Sequence, residues 1–353
     1  MPAQSRSVDV RADCDSSGWR RLVIENEVLE AVVLPDKGAD IYQLVYKPRN
    51  IDVLGKTPWG LKRPGLGLPS SLQSASAWLD AYSGGSQEVF PNGGEACTYK
   101  GAELGYHGEA SMAAWHFELA PERGEVRLTT RLARSPFAMC RTMRVAPDRP
   151  VLVMDERITN EGDEPMDYMW GHHPAYGEPL LGQACRIDHG ARLIRADAGY
   201  DSTFNPMTPG QVYAWPGVER DGKRTDLSRI PPRTQPRAAF GYLHGFESGW
   251  YGLTNTELGF GVGMTWPVDL FPYAWFWQEM SASSGYPWYR AMHLTAIEPF
   301  TSWPGHGLLD AIENGTHRTL QPDETVSARL QFVFYESTGG ISKIEPDGSV
   351  VQP

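Results

Sequence analysis

Cysteine is scarce. The 353 residues include four, Cys14, Cys97, Cys140 and Cys185. Their spacings fit neither a zinc site nor a CxxC redox pair, so reduced and mostly buried thiols are expected instead of a disulfide framework. Basic runs are also missing. The 43 Asp and Glu outnumber the 32 Lys and Arg, and the net charge is −11. That balance repels phosphate backbones and argues against nucleic acid as a partner. No stretch approaches the ~18 apolar residues of a membrane span. The segment from Met1 to Trp19 is polar and lacks the apolar run of a secretory signal. A soluble cytoplasmic protein without a membrane partner is therefore expected. Catalytic signatures are few as well. There is no GxSxG elbow, no HExxH cluster and no phosphate loop. Neither a cofactor nor a metal is expected.

Turn formers and tryptophan are plentiful. The 37 glycines and 28 prolines are spread along the chain, which suits many short turns. Hydrophobic residues make up 41%, enough for a sizeable core. Twelve tryptophans can fill that core, but indoles also stack on sugar rings and close pockets. Helical periodicity is confined to about Ser74–Tyr82. Strand signals dominate. Leu29–Leu34 and Ile41–Tyr46 flank Pro35-Asp36-Lys37-Gly38 as a hairpin. Cys140–Val145 alternates polar and apolar, and Val151–Thr159 is followed by a turn and a returning run at Met166–Trp170. Further runs occupy 249–253, 259–266, 273–278, 292–298 and 326–335. No βαβ rhythm appears. The pattern predicts an all-β chain: one large antiparallel β-sandwich domain over 1–353, with its core at about 20–337.

Two segments carry the main chemical signal. Gly171-His172-His173-Pro174-Ala175-Tyr176-Gly177 follows one apolar run, and Glu298 ends another before Pro299. Neighbouring strand residues face opposite sides, so only one of His172 and His173 can face a given pocket. A carboxylate ending an apolar strand is costly to bury unless paired or hydrogen-bonded. Gly84–Glu95 reads as a glycine-rich loop whose Gln87, Glu88, Asn92 and Glu95 could meet a polyhydroxylated ligand. In Leu104–Ala110, glycines flank His107 and allow it to stand in an open cleft. Alternation puts Trp275, Trp277 and Glu279 on one face, with Phe276 and Gln278 on the other. Gly259–Trp266 alternates glycine with apolar residues, leaving a bare face for a ligand or for close packing.

At these residues the chain resembles the galactose mutarotase (aldose 1-epimerase) superfamily over roughly Glu25 to Tyr335. The opening hairpin, Tyr106-His107-Gly108-Glu109, His173-Pro174-Ala175-Tyr176 and Ile297-Glu298-Pro299 occur in the family's order. The resemblance implies a large twisted β-sandwich with an open cleft on one sheet. It also implies roles: His173 as general acid for the ring oxygen, Glu298 as general base for the anomeric hydroxyl, and His107 as a sugar ligand. Glu88, Asn92, His172, Trp277, Gln278 and Glu279 complete the expected substrate-binding set. The segments Gly84–Glu95 and Trp277-Gln278-Glu279 look like a less characterised branch.

Mutarotation removes a proton from the C1 hydroxyl and supplies one to the ring oxygen. Ordinary pKa values near 4.3 for Glu and 6.5 for His give an ionised base beside a protonatable acid. The two side chains are expected to face each other across a pocket about one sugar ring wide. A small-molecule sugar is the expected partner, bound to a monomer or homodimer. Three alternatives use the same fold: a non-catalytic sugar-binding protein, a polysaccharide lyase, and a glycoside hydrolase drawing two carboxylates from Glu88, Glu279 and Glu298.

Overall fold

A computed structural model describes residues 8–63 and 73–353. Among these residues, two antiparallel sheets of twelve and eight strands dominate. Five strands in the middle of the larger sheet bear on function. They are β1 (Ser86–Val89), β2 (Gly171–Tyr176), β3 (Arg237–His244), β4 (Tyr273–Met280) and β5 (His293–Phe300). Their order across the sheet is β1-β2-β5-β4-β3, with the opening hairpin beyond β1. The hairpin is Leu29–Leu34 paired with Asp40–Tyr46, with a register shift at Val32/Val33. The smaller sheet is built on Phe137–Val145, Val151–Asn160, Thr325–Glu336 and Phe260–Trp266. Its Phe137–Val145 strand alternates buried and half-buried residues along its length, as a strand with one face on a core must. A continuous apolar cluster lies between the sheets and takes residues from both.

Several details differ from the sequence reading. The helix α1 covers Ser74–Ala81, close to the expected span. Pro174 and Pro299 lie inside β2 and β5 instead of ending them. Ser86–Val89 is a central strand, not part of a loop. Met166–Tyr168 does not return onto Val151–Asn160 but pairs with Arg318–Leu320 in a small separate sheet. The bare face of Phe260–Trp266 is closed by packing: a Cβ at Gly261 would lie 2.6 Å from the Tyr335 ring, and one at Gly263 would lie 2.4 Å from Ile344. All four cysteines are free, but only Cys185 is buried. Cys140 occupies an outward position of the alternating strand and Cys14 ends the strand Asp9–Cys14 at the rim of the larger sheet. No helix among the described residues is long and apolar enough to cross a membrane.

A charged network ties the two sheets together. Arg141, on Phe137–Val145, bonds Glu156 on the neighbouring strand and Glu88 on β1 across the layer. Its guanidinium also donates to Ala39 O of the hairpin turn at 3.0 Å. His172 Nε2 lies 2.6 Å from Glu156, and the Trp170 indole N–H donates to Glu88. All four charged side chains are at most 4% exposed. Glu88, Glu156 and His172 have metal-ligand spacing, but Arg141 already supplies the cation. Burial opposes the charge on Glu156, yet His172 and Arg141 overcome it and hold the carboxyl at about 2. The same carboxylates outweigh burial at His172 and raise its pKa.

Removing one partner of such a network leaves a buried charge uncompensated. Glu156→Gln is expected to cost about 3–5 kcal/mol, read as a drop in the urea midpoint. Because the folded pKa of Glu156 is depressed, its contribution is present above 4.5 and lost as pH falls towards about 2. The variant should therefore lose the wild type's steep decline over that window. An unchanged midpoint, or an unchanged acid limb, would contradict this account.

Candidate active site

One cross-strand row sets the site. The ladder pairs Gly171 with Phe300 and Ala175 with Ala296, which puts position 173 opposite position 298. Gln87 pairs with His173 on one side, and Glu298 pairs with Trp275, then Trp275 with Tyr242, on the other. Side chains opposite one another in a ladder share a face. Gln87, His173, Glu298, Trp275 and Tyr242 therefore project together, away from the interlayer core. Above them lies a cavity of ≈540 Å³ lined by His173 and Glu298.

Aromatic rings make its floor and walls. Trp275 stacks flat on Phe300, with centroids 3.7 Å apart, and its indole donates to Ser302 O at 2.9 Å. Gly171 permits this, since a Cβ there would lie 2.2 Å from the Phe300 ring. α1 brings in Trp78, whose indole donates to Ser111 at 3.0 Å and packs on His107 at 4.6 Å between ring centroids. Trp277 and Trp288 close another side.

His173 Nε2 lies 3.6 Å from Glu298 Oε1. The opposite ends, His173 Nδ1 and Glu298 Oε2, are buried and have no partner among the described residues. Burial alone raises Glu298 well above the ordinary carboxylate range. Burial likewise lowers His173 to about 4. Both shifts run against the expected ionised carboxylate beside a protonatable imidazole. Burial disfavours the charged form of each group, so both shifts point towards a neutral pair. The separation corrects a second expectation. The two groups stand side by side, not across a sugar ring, because adjacent strands of one sheet carry them.

His107 completes this end of the cavity. Gly94 N–H donates to its Nδ1 at 3.1 Å. In the neutral ring the proton is then on Nε2, which makes that atom a donor. Burial, then His173, keeps His107 neutral. Its backbone is left-handed at φ 55°, a conformation that costs free energy and persists where the surroundings enforce it.

The expected ligand set divides by face. His107, His173, Trp277, Glu279 and Glu298 line the cavity. Four residues do not. Glu88 and His172 sit one position along from Gln87 and His173, so alternation turns them into the interlayer network. Gln278 likewise points to the core side, fully buried. Asn92 is a loop fastener: it donates to Glu95 O and Gly105 O and accepts from Leu308 N–H. Sequence reading missed Asp197 and His306. Asp197 Oδ2 lies 2.9 Å from His306 Nε2 and accepts the Tyr242 hydroxyl proton. Both line the cavity on the side beyond Trp275. Their positions, 109 residues apart in irregular segments, gave no periodic or motif signal. In all, four carboxylates and three imidazoles line the cavity, and none of the lining residues is Lys or Arg.

Comparison with known proteins agrees with this architecture. A galactose mutarotase-like protein from Clostridium acetobutylicum superposes with TM-score 0.66 at 13% identity, over 94% of this chain and 99% of that one. A galactose mutarotase-like protein from Lactobacillus casei gives 0.61 at 17% identity, over 89% and 100%. The galactose mutarotase related enzyme from Lactobacillus acidophilus gives 0.59 at 15%, over 92% and 100%. At these identities the likeness establishes the galactose mutarotase-like fold. No curated protein matches the chain. A family model does match, over residues 16–215, more than half of the 353. On that match, the chain belongs to the family described as Domain of unknown function (DUF4432).

Proposed function

We propose that the protein interconverts the anomers of an uncharged aldose, as an aldose 1-epimerase-like isomerase. The observation that carries this reading is the His173–Glu298 pair, 3.6 Å apart under an aromatic-walled cavity, each with a buried unpartnered atom. The ring oxygen and the anomeric hydroxyl are bonded to the same carbon. Two adjacent groups can therefore reach both oxygens at hydrogen-bond range. The two burial shifts favour a neutral resting pair, and that starting state orders the first step. Glu298 gives its proton to the ring oxygen while His173 takes the proton of the C1 hydroxyl, and the C1–O5 bond opens. The pair is then imidazolium and carboxylate. After C1 turns, the reverse transfers close the ring on its other face and restore the neutral pair. This order puts Glu298 on the ring oxygen and His173 on the anomeric oxygen throughout, the reverse of the assignment that the family resemblance implies. His107 donates from Nε2 to a sugar oxygen. Carboxylate-rich walls without Lys or Arg favour hydroxyl groups over phosphate or carboxylate substituents. That lining also weighs against a lyase acting on polyanions.

The first test is polarimetry or NMR on freshly dissolved α-anomers of an aldose panel that includes uronic acids and sugar phosphates. Neutral aldoses should be accelerated and anionic ones should not. Acceleration of none would refute the isomerase reading and leave a sugar-binding protein. Positioned acid–base groups contribute ~10²–10⁴-fold, so His173→Gln and Glu298→Gln should each lower kcat by about that much with a smaller change in KM. A full rate in Glu298→Gln would remove the carboxyl from the mechanism. The pH profile is a separate check. As pH falls through about 4, His173 takes up a proton and the base is lost. As pH rises through the elevated pKa of Glu298, the acid is lost. The acid limb of kcat/KM is thus expected near 4, and a limb near 6.5 would contradict the buried neutral pair.

A further inference from the structure

The chain has 12 Trp, 15 Tyr and 12 Phe. Among the described residues only three of these rings are largely exposed: Trp59, Tyr286 and Tyr289, at 51, 49 and 58%. Scattered exposed aromatics are ordinary, but a contiguous patch calls for an explanation. These three meet at one lip of the cavity. Trp59 and Tyr289 pack edge to face with centroids 5.9 Å apart. The Trp59 indole donates to Pro287 O at 3.2 Å. Tyr286 and Pro287 line the cavity, as does the next residue, Trp288. The Tyr286 hydroxyl donates to Ser76 O at 3.1 Å and lies 3.2 Å from Asp80 on α1. Trp59 and Tyr286 are thus fastened by their polar edges, while about half of each of the three residues stays exposed. The loop that carries Tyr286 and Tyr289 holds Tyr289 and Arg290 at φ 47° and 60°, left-handed backbone that is costly for side-chain-bearing residues.

We infer that this lip is a second sugar subsite, and that the substrate is the reducing-end residue of an uncharged oligosaccharide. The inference rests on the isomerase reading for what happens in the cavity. Three observations select this occupant over a protein partner. The lip is continuous with the cavity through Tyr286, Pro287 and Trp288. The cavity, at ≈540 Å³, exceeds what a single hexose fills. Aromatic faces suit the flat C–H faces of pyranose rings, and the pinned edges of Trp59 and Tyr286 lower the entropic cost of binding them. The reducing-end ring would sit over His173 and Glu298, with its neighbour stacked on Trp59 and Tyr289.

The test compares anomer interconversion of lactose, cellobiose and maltose with that of galactose and glucose, in the full chain and in Trp59→Ala and Tyr289→Ala. The wild type is expected to favour at least one disaccharide over its reducing-end monosaccharide by about tenfold in kcat/KM. Each variant should cut that preference about tenfold, through KM and not kcat. Equal or better use of monosaccharides by the wild type would overturn the inference, as would variants that keep the preference. If no sugar is turned over, the isomerase reading fails by itself. The subsite is then read by calorimetry with cellopentaose: binding weakened in both variants supports it, and no binding by the wild type overturns it. A concentration-dependent dimer that Trp59→Ala abolishes would make the patch a protein interface and also overturn the inference.

Discussion

Arg141 is the interaction on which the arrangement depends. A guanidinium without water must be compensated, and here Glu88, Glu156 and the Ala39 carbonyl do so. Those partners come from β1, from the smaller sheet and from the hairpin turn. One buried cation therefore fixes three parts of the fold against one another. His172 joins through Glu156 and adds β2. The network is not a source of large net stability, because desolvation offsets most of its Coulombic gain. What it supplies is position: β1 and β2 cannot slip by one residue without exposing the apolar core to these charges.

The candidate site is the reverse side of that constraint. A strand turns successive residues to opposite faces, so locking His172 inward directs His173 outward. The same holds for Glu88 and Gln87 on β1. The β2–β5 register then sets His173 beside Glu298. Rings from α1, β4 and the 283–290 loop bury the pair, and burial disfavours the charged form of both groups. A pair whose buried groups both favour their neutral forms can give one proton and take another without passing through two solvated ions. Side-by-side placement suits two oxygens on one carbon better than two groups facing across a ring.

Parts of this were readable in the chain itself. The strand-like run Leu29–Leu34, the alternation in Cys140–Val145 and in Gly259–Trp266, and the turn residues between such runs gave the all-β class. The alternation in Trp275-Phe276-Trp277-Gln278-Glu279 separated cavity-facing from core-facing residues, although it did not say which set was which. The motif at His173, the late Glu298 and the glycine-flanked His107 marked the centre of the site. Polar residues near a motif were less informative. Glu88, Asn92, His172 and Gln278 resembled ligand contacts in sequence, yet the fold uses them as core charges, loop fasteners or core-facing side chains. Composition cannot distinguish these uses, because a buried network and a sugar site draw on the same side chains.

The sequence alone determined the strand-rich architecture, the turn positions and the identity of the imidazole and carboxylate. These follow from local periodicity and from residue chemistry, which are written within a few neighbouring positions. The tertiary structure alone decided that His173 meets Glu298 at 3.6 Å and that both are buried. It alone brought Asp197 and His306 together, and gathered Trp59, Tyr286 and Tyr289 on one lip. Each of these depends on strand order, on register between distant segments and on exclusion of water. Those are properties of the packed chain, and no local stretch of residues encodes them.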